Sequence, residues 1–287
     1  MLQQEIDSLV PSRDFSRRGF VKTAVGSGFA AAVLPVTAQT IKTDSEGLTV
    51  GEVMIPVGDF KMPAYRAQPA GKTGLPVVLV VSEIFGVHEH IADVARRFAK
   101  LGYLAIAPEL FVRQGDAQSY GEIAKLVSEV IAKVPDKQVM GDLDAAVAWA
   151  KTNGGDTSKL GITGFCWGGR TTWMYAAHNA AVKAAVPWYG PVARSYFPGD
   201  KPALDMAANV KAAVLALYGG ADPGIPNDTV EKMMAAIKAA GNTKSELVIY
   251  PDTPHAFHAD YRPSYRKEQA EDGWKRAVAW LKANGVA

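Results

Sequence analysis

Apolar residues in this chain come in short unbroken runs, separated by longer stretches with helical spacing. Pro76-Val77-Val78-Leu79-Val80-Val81 shows no polar alternation, the pattern of a strand buried on both faces of a parallel sheet. Further strands are predicted at Gly102–Pro108, Leu160–Phe165, Val182–Tyr189, Ala212–Tyr218 and Glu246–Tyr250. Between them, 3.6-residue spacing predicts helices over Ile91–Leu101, Tyr120–Val134, Lys137–Asn153, Thr171–His178, Thr229–Ala240 and Ser264–Asn284. Ahead of this alternation, Leu48–Val57 and Met62–Ala67 read as extended segments joined through Gly58-Asp59 as a hairpin, with prolines suited to an exposed sheet edge. Strands alternating with helices imply right-handed crossovers and one mostly parallel sheet covered on both faces. The expectation is a single α/β domain over residues 48–287, with an N-terminal edge hairpin and no separate lid.

Composition changes this picture little. Of 287 residues nearly half are apolar, and the formal net charge is +2. Dispersed basic residues, largely matched by acids, give no footprint for nucleic acid. One cysteine excludes an internal disulfide, and neither it nor the scattered histidines have zinc spacing, so neither metal nor cofactor is expected. The N-terminus is different. Ser16-Arg17-Arg18-Gly19-Phe20-Val21-Lys22 is followed by a mild apolar run from Ala24 to Val36 and by small residues ending at Ala38. This resembles a twin-arginine export signal over residues 1–38, with a short linker over 39–47. It implies recognition by the twin-arginine export machinery and a periplasmic protein free of the membrane after processing. A flexible basic tail on a cytoplasmic protein is the alternative. A monomer is expected.

The chemistry centres on Gly164-Phe165-Cys166-Trp167-Gly168-Gly169. Gly-x-nucleophile-x-Gly between a strand and a helix is a nucleophile elbow, here with cysteine in place of serine. The turn strains the nucleophile's backbone, so the flanking positions must lack side chains. A buried structural cysteine is the competing reading. In parallel sheets, reactive groups gather at the carboxyl ends of the strands. Asp222 follows one strand through Gly219-Gly220-Ala221, and His255 follows the last through Pro251-Asp252-Thr253-Pro254. A thiol needs a base to take its proton, and an imidazole needs a carboxylate to fix its tautomer. Asp222 is preferred to Asp252, which lies on the histidine's own loop. His88 and His90 flank Glu89 at a helix start and read as a solvated face. Asn227-Asp228-Thr229, although a glycosylation sequon, reads as a helix cap.

These residues, with Glu83-Ile84-Phe85-Gly86-Val87 and Pro254-His255-Ala256-Phe257, resemble the dienelactone hydrolase family of α/β-hydrolases. The resemblance covers the chain from about residue 46 onward. It implies an α/β-hydrolase fold and hydrolysis of a small ester or lactone by a Cys166–His255–Asp222 triad. It also implies an oxyanion hole from the backbone N–H groups of Ile84 and Trp167. In this family the matching glutamate, Glu83, is taken to hold the resting thiol until substrate displaces it; a glutamate that merely caps the following turn is the alternative. Arg113 falls where one substrate-carboxylate arginine is expected. The second would stand four residues after His255, where this chain has Ala259, and Arg262 is placed to reach back. Trp188 and Tyr189 are expected to line the substrate pocket or to belong to the core. The other readings of the whole are a non-catalytic small-molecule-binding protein on the same fold, and a redox sensor without a resolving cysteine.

Overall fold

The computed structural model describes residues 40–287; the expected export signal lies outside them. Its scaffold is one eight-stranded sheet in the order β1-β2-β4-β3-β5-β6-β7-β8. These strands are β1 (Leu48–Val57), β2 (Phe60–Pro69), β3 (Leu75–Val81), β4 (Leu104–Pro108), β5 (Gly155–Phe165), β6 (Val182–Trp188), β7 (Ala213–Gly219) and β8 (Glu246–Tyr250). β1 and β2 form the expected hairpin, paired from Leu48–Pro69 to Val57–Phe60 around a two-residue turn. β2 also pairs antiparallel with β4, so only β1 is an edge on this side. Every pairing from β4 to β8 is parallel.

The chain steps one way from β3 to β4 and the other way from β4 to β5. With right-handed crossovers, α1 (Glu89–Lys100) then covers one face, and α3 (Asp136–Thr152) and α4 (Trp167–His178) cover the other. The C-terminal helix α6 (Lys267–Ala283) joins α1, with Trp274 4.6 Å from the Phe98 ring. α5 (Asn227–Ala239) links β7 to β8. Central β3 and β4 are buried on both faces, as their unbroken apolar runs require.

Two expectations change. The helix predicted over Tyr120–Val134 breaks into α2 (Ile123–Glu129) and a 3₁₀ turn at Ile131–Lys133. The tighter turn buries Val130 and Ile131 beside Leu126 and Val127. The described part of the expected linker is fastened to the domain. Ile41 N–H donates to Asp260 (3.0 Å) and Thr43 N–H to Asp93 (2.5 Å), while Arg96 Nε donates to Thr43 O (2.9 Å).

Candidate active site

The direction reversal at β3 sets the loops after β3 and β5 side by side at the carboxyl edge, where open α/β sheets bind ligands. Cys166 joins β5 to α4 with φ 56° and ψ −116°, a conformation that L-residues hold only when the surroundings enforce it. The surroundings do. Cys166 N–H donates to Trp188 O (3.0 Å), and its carbonyl accepts from Arg170 N–H (3.1 Å). A Cβ on Gly164 would collide with the backbone of Gly168, and one on Gly168 would lie 2.5 Å from Ser82 O. Gly164 is therefore required by contact within the elbow itself, and Gly168 by contact between the elbow and the end of β3.

Asp222 and His255 come together as the loop positions implied. Gly220 N–H donates to Tyr250 O (2.7 Å) and Ala221 N–H to Thr253 O (3.0 Å), tying the acid loop to the histidine loop. Asp222 Oδ1 accepts from Gly224 N–H (2.9 Å), which leaves Oδ2 to accept from His255 Nδ1–H at 2.6 Å. The pair is buried, whereas Asp252, the rival acid, is exposed with φ 53°. Burial disfavours a charged His255. The charges of Asp222 and Cys166, with the hydrogen bond to Asp222, outweigh it and raise the imidazole to about 10. Asp222 and His255 thus form one buried pair whose histidine feels the charge of Cys166.

Trp167 is the first residue of α4, where an N–H has no acceptor within its own helix. Ile84 follows β3 and is buried. Glu83 is fully buried beside it, and its Oε2 accepts from His88 Nε2–H (3.2 Å) while Oε1 makes no hydrogen bond. Burial alone would raise the Glu83 carboxyl; the hydrogen bond and charge of His88, with the charge of His90, hold it below the ordinary carboxylate range. The hydrogen bond at Glu83 Oε2 thus comes from a histidine of the following loop. His88 and His90 are also not a solvated face: both are buried, and His90 Nδ1–H donates to Asp260 Oδ1 (2.9 Å).

The expected substrate-binding residues divide. Arg113 makes a two-pronged ion pair with Asp142 (2.6 and 2.8 Å) and lies over the Phe60 ring, with its centre 4.2 Å from the centroid. Trp188 donates Nε1–H to Thr163 Oγ1 (3.1 Å) and packs against Phe165, Phe257 and His258, so it is core beneath the elbow. Tyr189 is edge-on to His255 at 5.1 Å, and its buried hydroxyl has no partner. Burial, followed by the charges of Glu83, Tyr261 and Cys166, keeps that phenol well above its ordinary value. Arg262 lies over Phe85 at 5.7 Å, and its charge acts on both Tyr189 and Tyr261. Tyr261, which sequence reasoning missed, is half-buried beside His88 with a buried and equally unpartnered hydroxyl. Among the described residues no cluster has the make-up of a metal site.

A family model described as the dienelactone hydrolase family matches residues 62–285. A protein of Methylorubrum extorquens named a putative carboxymethylenebutenolidase is 58% identical over 99% of this chain and 98% of its own length. One of the same name from Escherichia coli K12 is 51% identical over 92% of this chain and 97% of its own. The crystal structure of a putative dienelactone hydrolase from Klebsiella pneumoniae is 52% identical. It superposes with a TM-score of 0.79, covering 82% of this chain and 98% of that one.

Proposed function

This chain belongs to the dienelactone hydrolase family and is a hydrolase of esters or lactones, and from that premise we propose that Cys166, His255 and Asp222 break the bond through a covalent acyl-enzyme. The observation that carries this is the buried Asp222–His255 contact at 2.6 Å, coupled onward to a cysteine on a strained strand–helix turn. His255 takes the thiol proton through Nε2 as sulfur attacks the carbonyl carbon. The oxyanion is held by the N–H groups of Ile84 and Trp167, which the fold fixes before reaction. The imidazolium then protonates the leaving alkoxide; in a lactone this oxygen stays attached to the acyl group as a hydroxyl. Water, giving its proton to His255, attacks the thioester carbon and releases the acid with the free thiol.

The substrate we propose is uncharged at the end remote from the reacting bond. Arg113 is committed to Asp142, and Ala259 stands in place of the second arginine. Tyr189 and Tyr261 offer phenolic hydroxyls instead. With an activated aryl ester, wild type should release the phenol in a burst and show an acyl adduct on Cys166 by intact-protein mass spectrometry. Cys166→Ala should show neither. Turnover that persists in Cys166→Ala sinks the nucleophile, and binding without turnover in wild type makes the protein a non-catalytic binder. We further propose that residues 1–38 direct export of a monomer to the periplasm. Replacing Arg17 and Arg18 by lysine should retain the active enzyme in the cytoplasm; undiminished delivery refutes this.

A further inference from the structure

The loop after β3 is gripped at its backbone by two side chains that the triad does not use. Gly86 N–H donates to Glu83 O (3.3 Å) and His88 N–H to Gly86 O (3.1 Å). Glu83–Gly86 is therefore a tight turn, with Ile84 as one of its two central residues and Gly86 at φ 75°. The direction of the Ile84 N–H follows from how the Gly86–Val87 peptide is held. Glu109, at the end of β4, holds it. Its own N–H is fixed to Pro63 O on β2 (2.9 Å), and its Oε1 accepts from Val87 N–H. The carboxyl lies so close that a Cβ on Gly86 would be 2.7 Å from the same oxygen. From the other side Gln118 Nε2–H donates to Val87 O (3.2 Å). Val87 is fully buried, and an unpaired backbone group there would be costly, so both of its polar groups depend on the segment that follows β4.

We propose that Glu109 and Gln118 are positioning residues for the oxyanion hole: by gripping Val87 N–H and Val87 O they fix the turn whose Ile84 N–H receives the negative oxygen. This rests on the acyl-enzyme reading of Cys166 and on Ile84 as a donor. Such a donor stabilises the transition state only if it is aimed before the charge develops. Chemistry at Cys166 that builds no oxyanion needs neither side chain. Alkylation by iodoacetamide is chemistry of that kind, because sulfur displaces iodide at a saturated carbon. Burial, the main cause, favours the uncharged Glu109 carboxyl. Gln is therefore its nearest substitute as acceptor for Val87 N–H, whereas Ala removes the acceptor.

The test compares Glu109→Ala, Glu109→Gln and Gln118→Ala with wild type in three assays. These are aryl-ester turnover, inhibition by an aryl trifluoromethyl ketone, and iodoacetamide alkylation of Cys166 read by intact mass. The ketone takes sulfur at its carbonyl carbon and leaves an oxyanion in the hole. In Glu109→Ala, kcat/KM should fall on the order of 10- to 100-fold and ketone affinity in proportion, while alkylation stays within about twofold. Gln118→Ala should show the same split with a smaller loss, and Glu109→Gln should return to within about threefold of wild type. Wild-type kcat/KM in Glu109→Ala, a loss shared equally by alkylation, or a Glu109→Gln as poor as Glu109→Ala overturns the proposal. Should Glu109→Ala not fold, Gln118→Ala decides, since it alters only a half-buried side chain: unchanged ketone affinity there overturns the clamp. Failure of the acyl-enzyme reading looks different, because wild type alkylated at Cys166 would then still turn over.

Discussion

Asp222→Asn removes the charge that orients and sustains His255 while keeping the side chain's shape. In the wild type that carboxylate accepts Nδ1–H at 2.6 Å, and with Cys166 it raises the buried imidazole from its ordinary 6.5 to about 10. At about 1.4 kcal/mol per pH unit, this sets a scale of roughly 5 kcal/mol for the preference of the site for imidazolium. Asn keeps Oδ1 for Gly224 N–H but presents either a neutral oxygen or an amide to Nδ1. An amide donor facing Nδ1 would select the wrong tautomer and point a second N–H at the sulfur. The expected loss in kcat/KM is on the order of 10²- to 10⁴-fold, with the alkaline limb falling from near 10 toward the ordinary histidine range. The assay is aryl-ester hydrolysis from pH 5 to 11, with the circular dichroism of the variant checked against wild type. Asp252→Asn, altering an exposed residue on the same loop as His255, serves as control and should be silent. A threefold loss or less in Asp222→Asn, with an unmoved alkaline limb, would refute the assignment of the acid.

Glu109 accepts Val87 N–H, and burial, the main cause, pushes its carboxyl up to about 7. Because the folded state favours the protonated form, stability is fully present below the ordinary carboxylate range and is lost as pH rises through 7. Glu109→Gln should flatten that decline, which urea unfolding at pH 5 and pH 8 would measure; an unchanged pH slope would count against it. Gly168→Ala places a Cβ 2.5 Å from Ser82 O and should cost about 1–3 kcal/mol and at least tenfold in kcat, by parting the elbow from the loop after β3. Wild-type kinetics in that variant would contradict the tight contact. Arg113→Ala strips Asp142, whose side chain is 1% exposed, of its ion-pair partner while the arginine itself is partly open to solvent. The expected result is a loss of about 2 kcal/mol in stability with little change in kcat/KM for neutral esters. A selective collapse for carboxylate-bearing lactones would restore Arg113 as a substrate clamp.

What was legible in the sequence is what short-range rules govern. Unbroken apolar runs marked the buried parallel strands, glycine spacing marked the elbow, and loop position marked Asp222 over Asp252. What was not legible depends on segments far apart in the chain. His88 and His90 stand at a helix start among polar residues, and distant segments, Phe165 on β5 with Asp260 and Tyr261 on the loop before α6, pack against them. Arg113, in the turn after β4, looked available because its partner, Asp142, lies on α3, 29 residues later. Trp188 could not be told from a pocket wall until Thr163, on the neighbouring strand, was seen to accept its N–H. A buried ion pair leaves no periodicity, so neither commitment could be read from spacing.

The carboxyl edge of the sheet carries two carboxylate–histidine pairs, Asp222–His255 and Glu83–His88, on the loops after β7, β8 and β3. The pairs are alike in charge and in burial, but their geometry makes them act in opposite senses. In the proposed triad Asp222 acts on Cys166 through His255, whose positive charge favours the thiolate. Glu83 is a buried carboxylate with one oxygen unbonded, and on the proposed role of Cys166 its charge, which acts with that of Cys166 on Tyr189, disfavours a thiolate. Asp222→Asn and Glu83→Gln each delete one negative charge from the same buried region. A general electrostatic effect of that charge would move the Cys166 alkylation midpoint the same way in both. The paired geometry instead requires an alkaline shift for Asp222→Asn and an acid shift for Glu83→Gln. Measured side by side under one protocol, shifts of the same sign would show that the two carboxylates are not distinguished by the histidines they hold.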